Sequence, residues 1–373
     1  MKENKAYCPL PFYHLYNNGT GKYYLCCHTS ETDNFTKDWN ITDHLPFEFH
    51  NSEDMKKIRK DMLDGIYVKD CIRCYKQDQN NIDSPRKKYI KKFQRSPNKN
   101  KYELKLSIFG NYCNLSCAMC HPVHSSARDN EFKELNLEKH DWTFPGKQFR
   151  ISNKRVEEIT DNLSEHIQYI NSIVISSDGE PLQTASVYNF LLNKISNYHA
   201  SKIGVSITTN LNRVVFKKYH LNQILDKFKN VKLRVSADHI EEKYEWIRKN
   251  SDFNKLVVNI EAYKKYIMWV SPAISILNVN DLIEIKSFYN SIGVKCMDQP
   301  TTFSLVTSPS FLRPRFSLNK IDLYNKYKSF DIWKEVCYEL QLESHPRKRE
   351  MMFNYLDKLS LTRGDWRSLW KEL

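Results

Sequence analysis

Short apolar runs alternate with longer amphipathic segments from Tyr102 to about residue 300. The runs are rich in β-branched and aromatic residues and predict six strands, at 103–109, 172–176, 202–208, 232–237, 268–277 and 293–297. The intervening segments repeat apolar residues every three or four positions and predict helices, for example at 156–169, 186–198 and 240–266. Strands that alternate with helices predict an α/β fold with a parallel sheet.

The segments on either side have a different character and predict three domains, at 1–97, 98–300 and 301–373. The first bears five of the ten cysteines and ends in a predicted linker at 96–100. In the third, prolines interrupt a loop before helical patterns at 319–340 and 347–359. We expect the aromatic and basic end of this tail, at 362–367, to cap the barrel or to pack on the N-terminal domain.

A basic helix is predicted shortly before the linker. Ser84 and Pro85 suit an N-cap and a first turn. The cations that surround Ile90 and Phe93 are Arg86, Lys87, Lys88, Lys91, Lys92 and Arg95. Such a helix either binds an anionic ligand or a nucleic-acid backbone, or simply exposes a solvated face.

Composition limits the class of protein further. No apolar signal segment follows Met1, and the ten cysteines fall into metal-binding spacings, so we expect reduced thiols and a cytoplasmic location. No stretch approaches the roughly 18 apolar residues of a membrane span. The formal net charge of +13 favours anionic partners, although the charge is spread along the chain.

The most informative motif is Cys113-x3-Cys117-x2-Cys120. Three thiolates in one short loop can bind three irons of a four-iron cluster and leave the fourth iron open to a substrate. The alternative is a structural zinc site, which needs a fourth ligand such as His121.

This motif resembles that of the radical S-adenosylmethionine (SAM) superfamily, because Asn114 and Leu115 follow the first cysteine and an apolar run at 104–109 precedes the loop. The resemblance implies a [4Fe-4S] cluster that binds SAM and cleaves it reductively. The resulting 5′-deoxyadenosyl radical abstracts a substrate hydrogen. It also implies a reductant such as flavodoxin or ferredoxin.

The resemblance further implies the architecture. Eight βα units would close a full TIM barrel, whereas six match the open (β/α)6 TIM-like partial barrel of that superfamily. We therefore expect a radical SAM barrel with an N-terminal Cys-rich domain and a helical C-terminal tail. The active side should lie at the carboxyl ends of the strands, where the cysteine loop occurs.

Further motifs follow the later strands. The turn Ser177-Asp178-Gly179-Glu180-Pro181 resembles the Gly-Gly-Glu-Pro motif of the superfamily, with Asp178 in place of the first glycine. In the superfamily this turn receives the SAM ammonium, for which carbonyl groups and the Glu180 carboxylate are suited. An isolated Asp-Gly turn would carry little meaning, so the interpretation depends on its position after the second strand.

Other positions match SAM contacts of related enzymes. Ser236, Asp238 and the downstream Arg248, which we place on the following helix, resemble the element that holds the SAM ribose and carboxylate. A capped helix with a surface arginine is the alternative. Asn210 ends the third strand as in the superfamily, and Met119 replaces an aromatic residue near adenine.

A second set of cysteines lies in the N-terminal domain. Cys8-x12-Gly21-x4-Cys26, followed by the pair Cys71 and Cys74, resembles the twitch half of a SPASM auxiliary-cluster domain. Twitch segments normally follow the barrel, whereas this one precedes it. The resemblance implies a second, fully ligated [4Fe-4S] cluster, and structural zinc is the alternative.

Three cysteines stay outside these ligand sets. Cys27 adjoins Cys26 and is a spare by the glycine spacing. Cys296 could face the substrate or serve as a buried thiol, and Cys337 is unassigned.

Three hypotheses for function follow. The first is a radical SAM enzyme that oxidises or rearranges a small anionic metabolite, aided by the auxiliary cluster. The second directs the same chemistry to a ribosomal peptide or a protein side chain; no leader-binding segment is evident before Cys8, which favours the small molecule. The third is a zinc-stabilised nucleic-acid-binding protein, which explains the charge and the aromatic residues but not the turn at 178–181.

Overall fold

The computed structural model describes residues 4–19, 21–29, 39–80, 84–94, 101–137, 151–176, 178–300 and 302–373. The strands within these ranges are β1 (His14–Asn17), β2 (Tyr23–Tyr24), β3 (Tyr102–Lys105), β4 (Ser116–Cys117), β5 (Ile170–Ile175), β6 (Gly204–Thr209), β7 (Val215–Phe216), β8 (Tyr219–His220), β9 (Asn230–Val235), β10 (Arg248–Lys249), β11 (Ile267–Val270), β12 (Ala273–Ile274) and β13 (Ser304–Leu305). The α-helices are α1 (Leu10–Tyr13), α2 (Pro46–Asn51), α3 (Glu53–Leu63), α4 (Ile72–Gln79), α5 (Pro85–Gln94), α6 (Ser126–Glu134), α7 (Asn153–Glu165), α8 (Ala185–Tyr188), α9 (Asn197–Ala200), α10 (Leu221–Lys227), α11 (Glu241–Ile247), α12 (Phe253–Tyr263), α13 (Leu282–Ser291), α14 (Lys320–Tyr327), α15 (Lys334–Gln341) and α16 (Pro346–Arg363).

Seven strands form the central sheet, in the order β11-β9-β6-β5-β3-β1-β2. Every neighbouring pair runs parallel except β1 and β2. Helices follow the parallel strands along the chain, as crossover connections in a parallel sheet require. The prediction of an α/β fold with a mostly parallel central sheet is therefore confirmed.

The N-terminal segment contributes to this sheet. Strand β1 pairs in parallel with β3, with Leu15 opposite Leu104 and Tyr16 opposite Lys105. The cysteine-bearing segment and the predicted barrel thus share one sheet. The predicted domain boundary at 97/98 and the linker at 96–100 lie outside the described residues, so the domain limits remain predictions.

The last two predicted strands are wrong in extent. The strand expected at 268–277 divides into β11 and β12, because Pro272 between them has no N–H to donate. The strand expected at 293–297 is reduced to a bridge between Cys296 and Val270. Gly293 (φ 80°) and Met297 (φ 50°) adopt left-handed conformations, which interrupt an extended backbone.

The helix predicted at 240–266 is also interrupted. Helix α11 ends at Ile247, and Arg248 begins the short strand β10, so our placement of Arg248 on a helix is wrong. Asn250, with φ 74°, reverses the chain. Asp252 then caps α12 by accepting a hydrogen bond from the backbone N–H of Lys255.

The two faces of the sheet differ in polarity. On one face, apolar side chains such as Ile173, Val205 and Leu233 are buried against the helices. The alternate positions of the same strands, including Ser172, Ser206 and Lys232, remain partly or fully exposed. We call this second surface the concave face. Because successive strand residues point to opposite faces, its polarity is fixed by the alternation in the sequence.

The C-terminal tail builds a second hydrophobic cluster. Trp366 and Trp370 are buried there together with Met352, and the cluster includes Ala118 of the cysteine loop and Trp246 of α11. Among the described residues, this cluster contains no residue before Ala118. The tail therefore packs beside the cysteine loop, and our expectation that it could pack on the N-terminal domain is not met in this cluster.

None of the helices in the described ranges combines the length and the apolar character needed to cross a membrane.

Because β1 is part of the central sheet, a cavity at Leu15 should destabilise the whole sheet. Leu15 is fully buried against Leu104, so Leu15→Ala should lower the free energy of unfolding by about 2–5 kcal/mol in denaturant titrations. Leu63→Ala, at a position that is 60% exposed, is the matched control and should have little effect. Equal stability of the two variants would contradict this integration of β1.

Candidate active site

The cysteine loop follows β3 and is fixed by backbone hydrogen bonds. Its middle forms β4, which pairs antiparallel with β10 so that Cys117 lies opposite Arg248. The backbone N–H of Ala118 donates to the Ile247 carbonyl at 2.7 Å. The N–H of Cys113 donates to the Ser126 hydroxyl at 3.1 Å. The loop is thus held both at its start and beside its second cysteine.

The three cysteines of this loop are partly buried and lie close together. Burial raises the pKa of Cys113 to about 12 and also raises the pKa values of Cys117 and Cys120. The Cys117 thiol lies close enough to raise the pKa of both other cysteines. Arg248 acts in the opposite direction on Cys117. A bound metal would favour the thiolate forms that burial disfavours.

The turn after β5 is joined directly to this loop. The backbone N–H of Gly179 donates to the His124 carbonyl at 2.8 Å, and that of Glu180 donates to the Tyr112 carbonyl at 2.7 Å. Gly179 has φ 77°, and a Cβ atom there would approach the Tyr112 oxygen to 2.4 Å. This position therefore requires glycine. Ser177, the first residue of the predicted turn, lies outside the described residues.

Glu180 joins the turn to the end of the next strand. Its carboxylate is buried and accepts hydrogen bonds from the Thr209 hydroxyl at 2.6 Å, the Asn210 N–H at 2.7 Å and the Leu182 N–H at 3.1 Å. Burial raises the pKa of Glu180, while these donors oppose the shift. Pro181 then begins a short 3-10 helix. The carboxylate that we assigned to the SAM ammonium thus already has protein partners.

Asp178, which replaces a glycine of the superfamily motif, has a specific partner. Its carboxylate lies 2.6 Å from Nδ1 of His124, a residue that follows the cysteine loop. A Cβ atom at Gly19 would come within 2.5 Å of the same carboxylate. Residues from three distant parts of the sequence therefore meet at Asp178.

Arg248 and Asp238 form a buried ion pair beside the loop. Arg248 Nε lies 2.8 Å from Asp238 Oδ2, and Arg248 Nη1 lies 3.6 Å from Cys117 Sγ. Burial lowers the pKa of Arg248, but Asp238 and Cys117 outweigh burial and raise it. Asp238 also accepts a hydrogen bond from the Ala273 N–H. The alternative of a surface arginine is excluded, since Arg248 is only 8% exposed.

The remaining predicted SAM contacts lie around the same edge. Asn210 Nδ2 donates to Asn114 Oδ1 at 3.1 Å, which joins the third barrel strand to the cysteine loop. The backbone N–H of Ser236 donates to the Thr209 carbonyl at 2.8 Å. Met119 packs against the second hydrophobic cluster. The side chains predicted from five sequence segments are thus assembled at one edge of the sheet.

The four N-terminal cysteines assigned to the second site also lie together. Burial raises the pKa of Cys8 to about 12 and of Cys26 to about 11, and it raises those of Cys71 and Cys74. Cys8, Cys26 and Cys74 each raise the pKa of Cys71 further. Cys27, which we leave outside this set, is exposed.

All ten cysteines are free thiols. Cys296 and Cys337 are buried. Within the described ranges, no three His, Cys, Asp or Glu side chains are arranged to hold a single metal ion.

A buried charge network beneath the cysteine loop was not predicted. Arg363, at the end of α16, donates to the Ser116 carbonyl at 2.7 Å and to the Glu131 carboxylate at 2.6 Å. Arg128 donates to Glu131 and to the Tyr355 hydroxyl, which in turn donates to the Ala118 carbonyl. Arg363 and Tyr355 therefore hold the backbone of the loop, and Arg128 and Glu131 bind these two side chains.

The network favours the charged form of Glu131, whereas burial and the neighbouring Arg128 lower the pKa of Arg363. Burial opposes ionisation of Glu131, but hydrogen bonds and charge from Arg363, with the Arg128 charge, lower its pKa to about 2. The sequence gives little indication of this role for Arg363. The residue lies in the aromatic and basic segment 362–367, and such segments ordinarily contribute to packing. Only the position of Arg363 beneath the cysteine loop distinguishes it from the other cations of that segment.

Removal of Arg363 from the buried charge network should leave the Glu131 carboxylate without one of its partners. Arg363→Met preserves much of the apolar volume and should lower the free energy of unfolding by about 3–5 kcal/mol. Arg367→Met, at an exposed position that pairs with Asp357, is the matched control and should have little effect. Both are measured by denaturant titration of the metal-free protein, and equal effects would contradict the role of Arg363.

Comparison with known proteins assigns a family to this region. Residues 107–288 match the model of the radical SAM superfamily. No curated protein sequence matches the chain.

Solved structures that resemble the chain include native anSMEcpe with bound AdoMet, at 18% identity and a TM-score of 0.38 over 61% of this chain and 58% of that one. SuiB of Streptococcus suis bound to S-adenosylmethionine matches at 16% identity and a TM-score of 0.39 over 78% of this chain and 61% of that one. The chain thus spans about three fifths of the length of these proteins. The resemblance predicted from the cysteine motif is confirmed by the family model, and residues 107–288 form a radical SAM superfamily domain.

Proposed function

We propose that this protein is an enzyme that reductively cleaves SAM and uses the 5′-deoxyadenosyl radical to abstract hydrogen from a small anionic metabolite, which is then oxidised or rearranged. The observation that supports this proposal best is the convergence of three thiols with Arg248, Asp238 and Glu180 at one edge of the sheet. That edge lies within the radical SAM superfamily domain.

The donor set fits a four-iron cluster with one open iron. Cys113, Cys117 and Cys120 supply three thiols, and the family match makes iron more consistent than zinc. When bound, the cluster would supply the electron that breaks the sulfonium bond of SAM. Arg248 beside Cys117 stabilises negative charge on sulfur, which favours thiolate ligation.

The surrounding residues would hold SAM. We propose that carbonyl groups of the turn at 178–181 accept hydrogen bonds from its ammonium, while the Glu180 carboxylate maintains the shape of the turn. Arg248 uses Nε and Nη1 for protein partners, and a guanidinium has five N–H donors, so others remain for the SAM carboxylate. Ser236 and Asp238 would serve the ribose, and Asn210 and Met119 would line the nucleoside site.

The N-terminal cysteines would hold an auxiliary [4Fe-4S] cluster. Cys8, Cys26, Cys71 and Cys74 supply four thiols, enough to close a cluster without an open iron. We propose that it accepts an electron from the substrate radical or anchors the substrate. A flavodoxin or ferredoxin would reduce the SAM-binding cluster.

The central prediction concerns SAM cleavage. Anaerobically reconstituted wild-type protein should release 5′-deoxyadenosine from SAM under a strong reductant, measured by chromatography with mass detection. Cys117→Ala should abolish this release, because an iron loses its ligand. Cys337→Ala, which removes a thiol outside both ligand sets, should retain it. Zinc at this site, or equal release by Cys117→Ala, would refute the proposal.

The auxiliary site makes a separate prediction. A Cys71→Ala/Cys74→Ala variant should lose about four irons per chain relative to wild type, determined by metal analysis and electron paramagnetic resonance. Cys27→Ala, next to a proposed ligand, is the matched control and should retain full iron content. Zinc in the wild-type site would show a structural metal instead.

Deuterium transfer into 5′-deoxyadenosine identifies the substrate. Deuterated anionic metabolites should transfer label if the proposal is right. Transfer from a ribosomal peptide and from no small anion would favour the peptide-modifying alternative.

A further inference from the structure

A cavity of about 420 Å³ lies between helix α5 and the concave face of the sheet. Helix α5 is the basic helix predicted from the sequence, and Ser84 caps it as expected, since its hydroxyl accepts a hydrogen bond from the Lys87 N–H. Tyr89, Lys92 and Phe93 of this helix form one wall. The strands β3, β5, β6 and β9 form the opposite wall.

The charge of this cavity is strongly asymmetric. Its lining carries the cations Lys92, Lys105, Lys232 and Arg234 but Glu103 as its only carboxylate among the described residues. Lys92 lies 2.5 Å from Glu103, which neutralises that carboxylate. Three positive charges therefore remain without a matching negative charge in the lining.

Arg234 is the least compensated of these cations. Its guanidinium lies 4.9 Å from the centre of the Trp269 ring, and its Nε is buried with no hydrogen-bond partner among the described residues. Burial lowers the pKa of Arg234, with only partial opposition from Tyr89 and Glu103. The indole N–H of Trp269 is likewise buried and unpartnered. Unpaired buried donors cost free energy that a bound anion would recover.

The lining of the cavity extends from the amino ends of β5, β6 and β9 to Arg234, near the carboxyl end of β9. Arg234 precedes Ser236 by two residues in the strand direction, which corresponds to about 7 Å. Among the lining residues of β9, Arg234 therefore lies nearest to the proposed SAM edge.

We propose that this cavity is the substrate site and that Arg234, with Lys105 and Lys232, binds an oxyanion of the substrate, a carboxylate or a phosphate. The assignment of the ligand as substrate rests on the proposed function. A guanidinium fork and ammonium groups are suited to such anions. The volume is that of a small-molecule pocket, which favours a metabolite over a polynucleotide backbone.

The test is direct binding of two anions, inorganic phosphate and malonate, to the reconstituted full-length protein. Isothermal titration calorimetry at constant ionic strength should detect at least one of them. Arg234→Met should weaken that binding by about tenfold or more, as expected for loss of a charge-assisted hydrogen bond. Lys105→Met provides an independent variant if Arg234→Met does not fold. Lys88→Met, an exposed lysine of the same helix outside the lining, should bind like wild type.

The preferred anion distinguishes a phosphorylated substrate from a carboxylic acid. Failure of wild type to bind either anion, or equal binding by the Arg234 and Lys105 variants, would overturn the inference. Release of 5′-deoxyadenosine from SAM without substrate is measured in parallel. This measurement tests the proposed function independently of anion binding. Arg234→Met should retain this release, because Arg234 contacts neither the cysteine loop nor the turn at 178–181 in any hydrogen bond or ion pair among the described residues.

Discussion

The site depends on keeping three partly buried thiols together in one loop. Burial disfavours their charged forms, and ionisation of one thiol disfavours ionisation of its neighbours, so an external frame that carries positive charge favours the thiolates. The frame consists of the pairing of β4 with β10 and of the Arg363–Glu131 ion pair beneath it. Both place cations near the sulfur atoms, where they offset part of the electrostatic cost.

The frame is assembled from distant segments. Arg248 lies on β10, Arg128 on α6 and Arg363 at the end of α16. Arg363 donates to the Ser116 carbonyl of the loop, so the position of the loop is coupled to the packing of the C-terminal helix. Strand β1 also connects distant segments, since its pairing with β3 joins the cysteine-bearing N-terminal segment to the central sheet.

The two faces of the central sheet differ in polarity and in what they contribute to the structure. One face is buried and apolar and carries the packing of the helices, whereas the concave face bears lysine, arginine and serine side chains that contribute little to the core. Parallel strands buried on both faces are usually apolar throughout, so the charged residues at alternate positions distinguish this face from the packed one. The cationic cavity lies on this second face.

The sequence by itself determined the resemblance to the superfamily and the local elements. Cysteine spacing identified both thiol sets and the superfamily, because ligand spacing within one loop is a local property. Alternating hydrophobicity identified the five parallel strands β3, β5, β6, β9 and β11, since each reflects the burial of its own side chains.

Only the tertiary structure decided which distant residues meet. The pairing of β1 with β3, the Asp178–His124 contact and the position of Arg363 under the cysteine loop join segments separated by tens to hundreds of residues. Neither spacing nor periodicity encodes such contacts. The reduced sixth strand likewise depends on the left-handed backbone of Met297, which its residue type does not favour. Long-range pairing is selected by the packing of the whole core, so a local pattern cannot specify it.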